Sequence, residues 1–402
     1  MNEASGTELL IGVATGDITP PLGVALAGYG TDRGRADELG HALRAEALAC
    51  RRGGGGWLLV TADAIGFPCD LVARVRPQIA RLTGLGEEAI VLAASHTHSA
   101  PSGVRTYRAD LEEVDDQYRA DLEECLVLLA GEAWEGLEPG RFEVARAEAP
   151  ELGHNRRLVD GAGAARNEWE DHDGDHPGYF DPSVLLVGVR RPDGQRAAVL
   201  VNYGCHPVTL GPMSTAVSAD YVGYLKDYLE DEGAAASVHF ALAGAANINP
   251  RVAIHAGAEY PAAMGRELGR ICAAALVQAQ PVAAGPVRAC RAPWEFAARY
   301  DWPENTGRRQ GQPVHTEVVA LRAGDLAVIT APGELFSEYA ARFRDLSPVP
   351  HAVVASLAND SVGYLVTDET QPQGGLEAMR AAGDAIEESL MERVRQALAG
   401  IS

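Results

Sequence analysis

Lysine is almost absent from this sequence: of 34 basic residues only Lys226 is lysine. With 56 acidic residues, the formal net charge is -22. Nucleic acids and anionic membrane surfaces both require a positive patch, so neither is an expected partner. No run of 18 uninterrupted apolar residues occurs, and residues 1–10 are polar and acidic, without the basic and apolar segments of a secretory leader. A cytoplasmic protein without stable membrane association is therefore expected. The six cysteines, Cys50, Cys69, Cys125, Cys205, Cys272 and Cys290, form no C-x-x-C pair, which excludes a zinc knuckle and a thioredoxin-like redox motif. No G-x-G-x-x-G follows a strand-like run, and Gly53-Gly54-Gly55-Gly56 lacks the lysine and helix start of a phosphate cradle. It reads as a hairpin turn between two strands. Internal repeats and linkers rich in Pro or Ser are also missing, so residues 1–402 are expected to form one domain.

What is present is an alternation of short apolar runs with helical patterns. The runs are Gly56–Ala62, Ala89–Ala94, Val184–Val189, Ala197–Tyr203, Ser237–Ala243, Leu326–Ala331 and Ala352–Leu357. Helical periodicity reads over Asp70–Thr83, Asp115–Ala133, Asp220–Asp231, Tyr260–Ala279, Ser337–Asp345 and Leu376–Ala399. This order predicts an α/β fold with a mixed β-sheet core flanked by helices. Asp160–Asp181 and Arg299–His315, rich in Gly, Pro, Asp and Asn, read as long loops.

Five apolar runs end in residues able to bind a metal or act beside one. They lead to Ser95-His96-Thr97-His98-Ser99, Gly204-Cys205-His206-Pro207, Asn247-Ile248-Asn249-Pro250, Pro332-Gly333-Glu334, and Asn359 followed by Tyr364. In open α/β sheets ligands collect beyond the carboxyl ends of strands. Two histidines, a carboxylate and an open position describe a catalytic zinc site. The H-x-H pair can supply two ligands, or one ligand and one catalytic partner. Asp220 is open between orienting a histidine and capping the helix that follows, and His41 between lining the site and a structural place. Asp171-His172-Asp173-Gly174-Asp175-His176 reads as a solvated acidic loop rather than a second metal site.

These motifs keep the order of a known family. Ile11-Gly12-Val13-Ala14-Thr15-Gly16-Asp17-Ile18-Thr19-Pro20-Pro21, Gly28-Tyr29-Gly30, Thr61-Ala62-Asp63, the Ser95-to-Ser99 segment and Asn155-Arg156-Arg157 come first. Cys205-His206-Pro207, Val217-Ser218-Ala219-Asp220-Tyr221, Pro332-Gly333-Glu334 and Asn359 through Thr367 follow. The chain thus resembles the N-terminal catalytic domain of the neutral/alkaline non-lysosomal ceramidases. That resemblance implies a zinc ion held by His96, His206, Glu334 and Tyr364. It also implies that His98 moves a proton or holds an oxyanion, and that Arg156 binds a carbonyl or oxyanion. Tyr364 could instead donate a hydrogen bond to the tetrahedral intermediate.

Departures shape the expected substrate. The family's G-D-x-S-P-N motif, with its catalytic serine, reads Ala246-Asn247-Ile248-Asn249-Pro250-Arg251 here, so Asn249 stands where the serine would be. Asparagine can hydrogen-bond a substrate but cannot attack it. A second family tyrosine is replaced by Leu376, and the family's C-terminal immunoglobulin-like domain is not expected. The expected function is a zinc-dependent hydrolase cleaving an amide-like bond in a small N-acyl or related metabolite by metal-activated water. Ceramide is the least expected substrate. The alternatives are a zinc-dependent esterase or lactonase, or a catalytically silent homologue that binds a ligand.

Overall fold

The computed structural model describes residues 8–29, 33–102, 115–301 and 309–402. Within them one order of elements occurs three times: three antiparallel strands, a helix, a fourth strand parallel to the third, and a second helix. The first unit runs Leu10–Asp17, Arg44–Arg52, Gly55–Ala62, helix Cys69–Thr83, strand Ile90–Ala94 and helix Asp116–Glu135. The second runs Arg141–Glu148, Ser183–Arg190, Arg196–Tyr203, helix Tyr221–Asp231, strand Val238–Leu242 and helix Glu259–Leu276. The third runs Val287–Ala297, Pro313–Ala323, Leu326–Thr330, helix Ser337–Leu346, strand His351–Ala355 and, after two short helices, Glu387–Ile401. The core is thus three mixed sheets, and a repeat exists that the residue pattern does not display.

Strand side chains alternate between two faces, and the alternation decides the layers. Trp57 and Leu59, Val91, Phe142 and Val144, Val187, Leu200, Val319, Leu321, Val328 and Val353 point from all three sheets into one shared apolar cluster. On the other face of the first two sheets, Leu58, Val60 and Leu92 meet Leu71, Val75 and Leu126, while Leu186 and Val201 meet Leu225 and Leu268. Val318, Ile329 and Val354 of the third sheet meet Tyr339, Phe343, Leu390 and Val394. Sheets therefore face inward and helices outward.

The parallel strand pairs are fastened to one another by polar groups. Asn202 Nδ2 donates to Ala241 O and to Val354 O, both at 2.8 Å, and its Oδ1 accepts from Val354 N at 3.1 Å. Asn359 Oδ1 accepts from Leu92 N at 2.8 Å, and its Nδ2 donates to Glu317 Oε1 at 2.9 Å. That places Asn359 as a fastener between sheets. Lys226 Nζ reaches from the Tyr221–Asp231 helix to Glu46 Oε1 at 2.6 Å and to both oxygens of Asp63 at 2.9 Å. All three residues are buried. An ion cluster of this kind is costly to desolvate and more costly to break.

Several strands differ from the sequence-based expectation. Arg44–Arg52, expected only as the first arm of the Gly53–Gly56 hairpin, is not among the apolar runs because Ala, Glu and Arg dominate it; its buried Glu46 is paired with Lys226. Arg141–Glu148 hides in the same way, with Glu143 paired to Arg190 and Arg196. Val287–Ala297 contains Pro293, which is tolerated because this is the edge strand of its sheet. The expected helix Leu376–Ala399 is broken into Gly375–Met379 and Glu387–Ile401. Between them Ala381 bridges Tyr364, and a Cβ on Gly383 would lie 3.1 Å from Ala297 O. Gly53 and Gly54 do turn the hairpin between Arg44–Arg52 and Gly55–Ala62. Most of Asp160–Asp181 is loop, apart from strand Ala165–Asn167 paired to Arg157–Val159. Of the expected loop Arg299–His315, residues 302–308 lie outside the described residues, and Pro313–His315 already belong to a strand.

Candidate metal centre

Each parallel strand pair delivers its following residues to one place. His96 and His98 follow Ile90–Ala94, His206 follows Arg196–Tyr203, Glu334 follows Leu326–Thr330, and Tyr364 follows His351–Ala355. The ligand atoms of His96, His98 and His206 lie within 4.8 Å of one another. His96 Nε2 is 3.3 Å from His98 Nε2 and 3.4 Å from Glu334 Oε2, and His206 Nε2 is 3.4 Å from the same oxygen. Glu334 and Tyr364 are partners in a short parallel strand pair, which sets Tyr364 beside the carboxylate.

Backbone carbonyls fix the protons of two rings. His96 Nδ1 lies 2.7 Å from Ile65 O, and His206 Nδ1 lies 2.6 Å from Ala245 O. A carbonyl only accepts, so each Nδ1 carries hydrogen and each Nε2 of the neutral ring carries a lone pair. Burial and the Arg156 charge lower the His206 pKa to about 4, which keeps that ring neutral near pH 7. The Nε2 atoms of His96 and His206 thus converge on one oxygen of the Glu334 carboxylate. His206 Nε2 has no hydrogen-bond partner, and neither does the buried His98 Nδ1. Electron-rich atoms held this close fit a cation between them.

Local backbone explains how an H-x-H segment aims both rings. His96 has a φ of 71°, in the left-handed region that a non-glycine residue enters at a cost of about 1–3 kcal/mol. Gly28, at φ +95°, makes room for the second ring: a Cβ there would fall 2.5 Å from His98. Tyr29 meets His98 edge-on with ring centroids 5.1 Å apart, while Gly30 of the same motif lies outside the described residues. Buried Arg33 donates to His98 O and to Ser99 Oγ, holding the segment from behind. Burial, then the neighbouring His96 and His206, push the His98 pKa well below its ordinary value.

Arg156 forms the adjoining wall. It is 3 % exposed. Its Nη1 donates to Asn249 Oδ1 at 3.1 Å and its Nη2 to Tyr364 Oη at 3.3 Å. Asn249 Nδ2 in turn donates to Trp169 O at 3.1 Å, so both ends of this buried amide are engaged by the protein. Burial and the Glu334 carboxylate push the Tyr364 phenol up, against the Arg156 charge. Asn247 serves structure: its Oδ1 accepts from Ser337 N and its Nδ2 donates to Glu338.

Two open questions are resolved toward structure. The Asp220 carboxylate accepts from Thr209, Leu210 and Tyr221, capping its helix and bracing the segment after His206, with no histidine among these partners. His41 Nε2 is 2.9 Å from Asp227 and its Nδ1 2.8 Å from Ala42 O, away from the cluster. In the acidic loop Asp171, Asp175 and His176 also bring ligand atoms within 4.8 Å. Asp171, however, already accepts from the backbone N–H groups of Gly174, Asp175 and His176, and Asp175 is exposed. These are the contacts of a loop organiser. Glu377, which no sequence motif marks, is the residue missed: it sits behind Arg156 inside what reads as a continuous helix.

A family model for the N-terminal region of neutral/alkaline non-lysosomal ceramidase matches residues 9–258. The chain belongs to the neutral/alkaline non-lysosomal ceramidase family. A solved structure described as ceramidase complexed with C2 superposes with a TM-score of 0.80 at 17% identity, covering 97% of this chain and 74% of that one. The neutral ceramidase from Pseudomonas aeruginosa gives 0.80 at 18% identity, covering 98% and 74%. No curated protein matches this sequence. At such identity the two structures establish the shared fold of this family and not a shared substrate. Among the described residues no helix is long and apolar enough to cross a membrane.

Proposed function

We propose that the chain is a zinc-dependent hydrolase of an amide-like bond in a small N-acyl metabolite. The observation that carries the reading is the convergence of His96 Nε2 and His206 Nε2 on Glu334 Oε2, each at 3.4 Å. Ligand atoms on a tetrahedral zinc with bonds of ~2.0–2.1 Å stand about 3.3–3.4 Å apart. His98 Nε2, 3.3 Å from His96 Nε2, has the same spacing. It therefore joins the candidate ligands as well as keeping its catalytic candidacy. Membership of a ceramidase family supports amide hydrolysis.

Zinc held by this donor set supplies a Lewis acid that polarises a carbonyl and acidifies water. The rest falls to the chain's own groups. Where its Nε2 is not given to the metal, His98, kept neutral by burial, can instead accept a proton and return it to the leaving amine. Arg156 presents fixed N–H donors toward charge developing on the carbonyl oxygen. Tyr364 Oη, held by Arg156, can meet the metal as a phenolate or a substrate oxygen as a phenol. Asn249 has no attacking group, so its part is to hold Arg156. We read residues 1–402 as one unit, since the shared core draws side chains from all three sheets.

The test is elemental analysis of protein purified without added metal, with an assay panel of N-acyl amides, ceramides and simple esters. Equimolar zinc and turnover of an N-acyl amide are expected. A His206→Ala variant that still held stoichiometric zinc would overturn the ligand set. A wild-type protein that bound zinc but cleaved nothing on the panel would favour a ligand-binding homologue.

A further inference from the structure

We propose that Glu377 is the positioning residue that aims the Arg156 guanidinium at the substrate carbonyl, a role that rests on the hydrolase reading above.

Glu377 is fully buried. Its Oε1 accepts from Arg156 Nε at 2.7 Å and from Asn167 Nδ2 at 2.7 Å, and its Oε2 accepts from Arg157 Nη1 at 2.8 Å. A guanidinium bound through Nε is held along its side edge, which fixes the direction of the two Nη groups. For Arg156 those groups point to Asn249 and Tyr364. Two aromatic rings also pack beside it: the Trp169 and Tyr364 ring centroids lie 5.4 Å and 6.0 Å from the guanidinium carbon. Rotation about any bond of the Arg156 side chain breaks one of these contacts, so the Nη edge has a single aim.

The backbone around Glu377 is built to keep it there. Gly374 and Gly375 have φ of 75° and 85°, and the Gly375–Met379 helix that carries Glu377 begins at once. A Cβ on Gly375 would lie 2.8 Å from Arg157 Nη1, so the glycine lets Arg157 through to the carboxylate. Arg157 also donates to Gly374 O and to Gln373 Oε1. Two guanidinium groups share one buried carboxylate, and without it they would face each other uncompensated.

The experiment uses zinc-loaded full-length protein and acetohydroxamate, a metal-chelating carbonyl mimic, titrated by calorimetry. Glu377→Gln removes the counter-charge; Glu377→Asp keeps it, protects folding and draws the guanidinium back by about one C–C bond. Both variants, like Arg156→Lys, are expected to keep equimolar zinc while binding acetohydroxamate ~10-fold more weakly. Where turnover is measurable, both should lower kcat/KM at least as far as they weaken acetohydroxamate, with zinc content unchanged, a pairing that general loosening of the fold does not produce. Wild-type acetohydroxamate affinity in Glu377→Asp, alongside weakened binding in Arg156→Lys, would overturn the positioning role. Failure of the wild-type protein to take up zinc would instead remove the hydrolase reading beneath it.

Discussion

The Nε2 atoms of His96 and His98 lie 3.3 Å apart with the two rings at 89°, although the residues are separated by only Thr97. An extended strand would hold such side chains parallel on one face. Convergence here depends on the left-handed turn at His96 and on the space left by Gly28. Gly28→Ala would push a methyl group into the His98 ring and strain a backbone at φ +95°. It is expected to weaken zinc binding at least ~10-fold with His96, His206 and Glu334 intact. Competition with a chromogenic chelator measures this. Wild-type affinity in the variant would remove His98 from the candidate ligands.

Asn249 stands where the family serine would be, and its amide is spent on Arg156 and Trp169. Asn249→Ala should therefore keep equimolar zinc and lose rate by ~10- to 100-fold through a slackened Arg156. Restoring serine should not raise ceramide cleavage, because Arg156 would lose its acceptor at that distance. A ceramide assay of Asn249→Ser that exceeded wild type would contradict this.

Asn202 fastens the second sheet to the third through two buried hydrogen bonds to the Val354 backbone. Replacement by leucine, which has the same branching but no polar atom, strands the Val354 N–H and carbonyl in an apolar interior. Each unsatisfied buried group costs about 1–3 kcal/mol, so Asn202→Leu should lose about 3 kcal/mol in urea unfolding. A loss below ~0.5 kcal/mol would show that the sheets are fastened elsewhere.

His239 is buried on the Val238–Leu242 strand with Nε2 unpartnered. Burial, then the Lys226 and Arg44 charges, lower its pKa from 6.5 to about 3. Because the folded value lies below the unfolded one, the neutral ring's stabilisation is complete above pH 6.5. It is lost as the pH falls toward 3. Between pH 7 and pH 5 this residue alone should remove about 2 kcal/mol of stability. His239→Gln should flatten that stretch of the profile, as followed by urea unfolding at several pH values. An unchanged slope would assign the acid sensitivity to other groups.

The site was legible and the scaffold only half so. His96, His206 and Glu334 announce themselves because polar residues at the ends of apolar runs have few other reasons to be there, and all three converge. The helices Cys69–Thr83, Asp116–Glu135 and Tyr221–Asp231 were readable from periodicity within a residue or two. Three of the missed strands carry Glu46, Glu143 and Pro293, residues that a sheet accepts only with a partner or an edge that the sequence cannot display. The threefold order was invisible for a related reason. Equivalent strand ends carry different chemistry, His206 after one third strand and Glu334 after another, so no residue pattern recurs. Glu377 was hidden because its partners lie some 210–221 residues away in the chain.

The single lysine has a practical consequence. With Lys226 Nζ buried between Glu46 and Asp63, the folded surface offers no ε-amino group to an acylating reagent. Separating the Tyr221–Asp231 helix from its sheet would uncover exactly one side-chain target. Amine-labelling rate at that residue is therefore a built-in clock for opening of the first two units, readable by mass without any engineered probe.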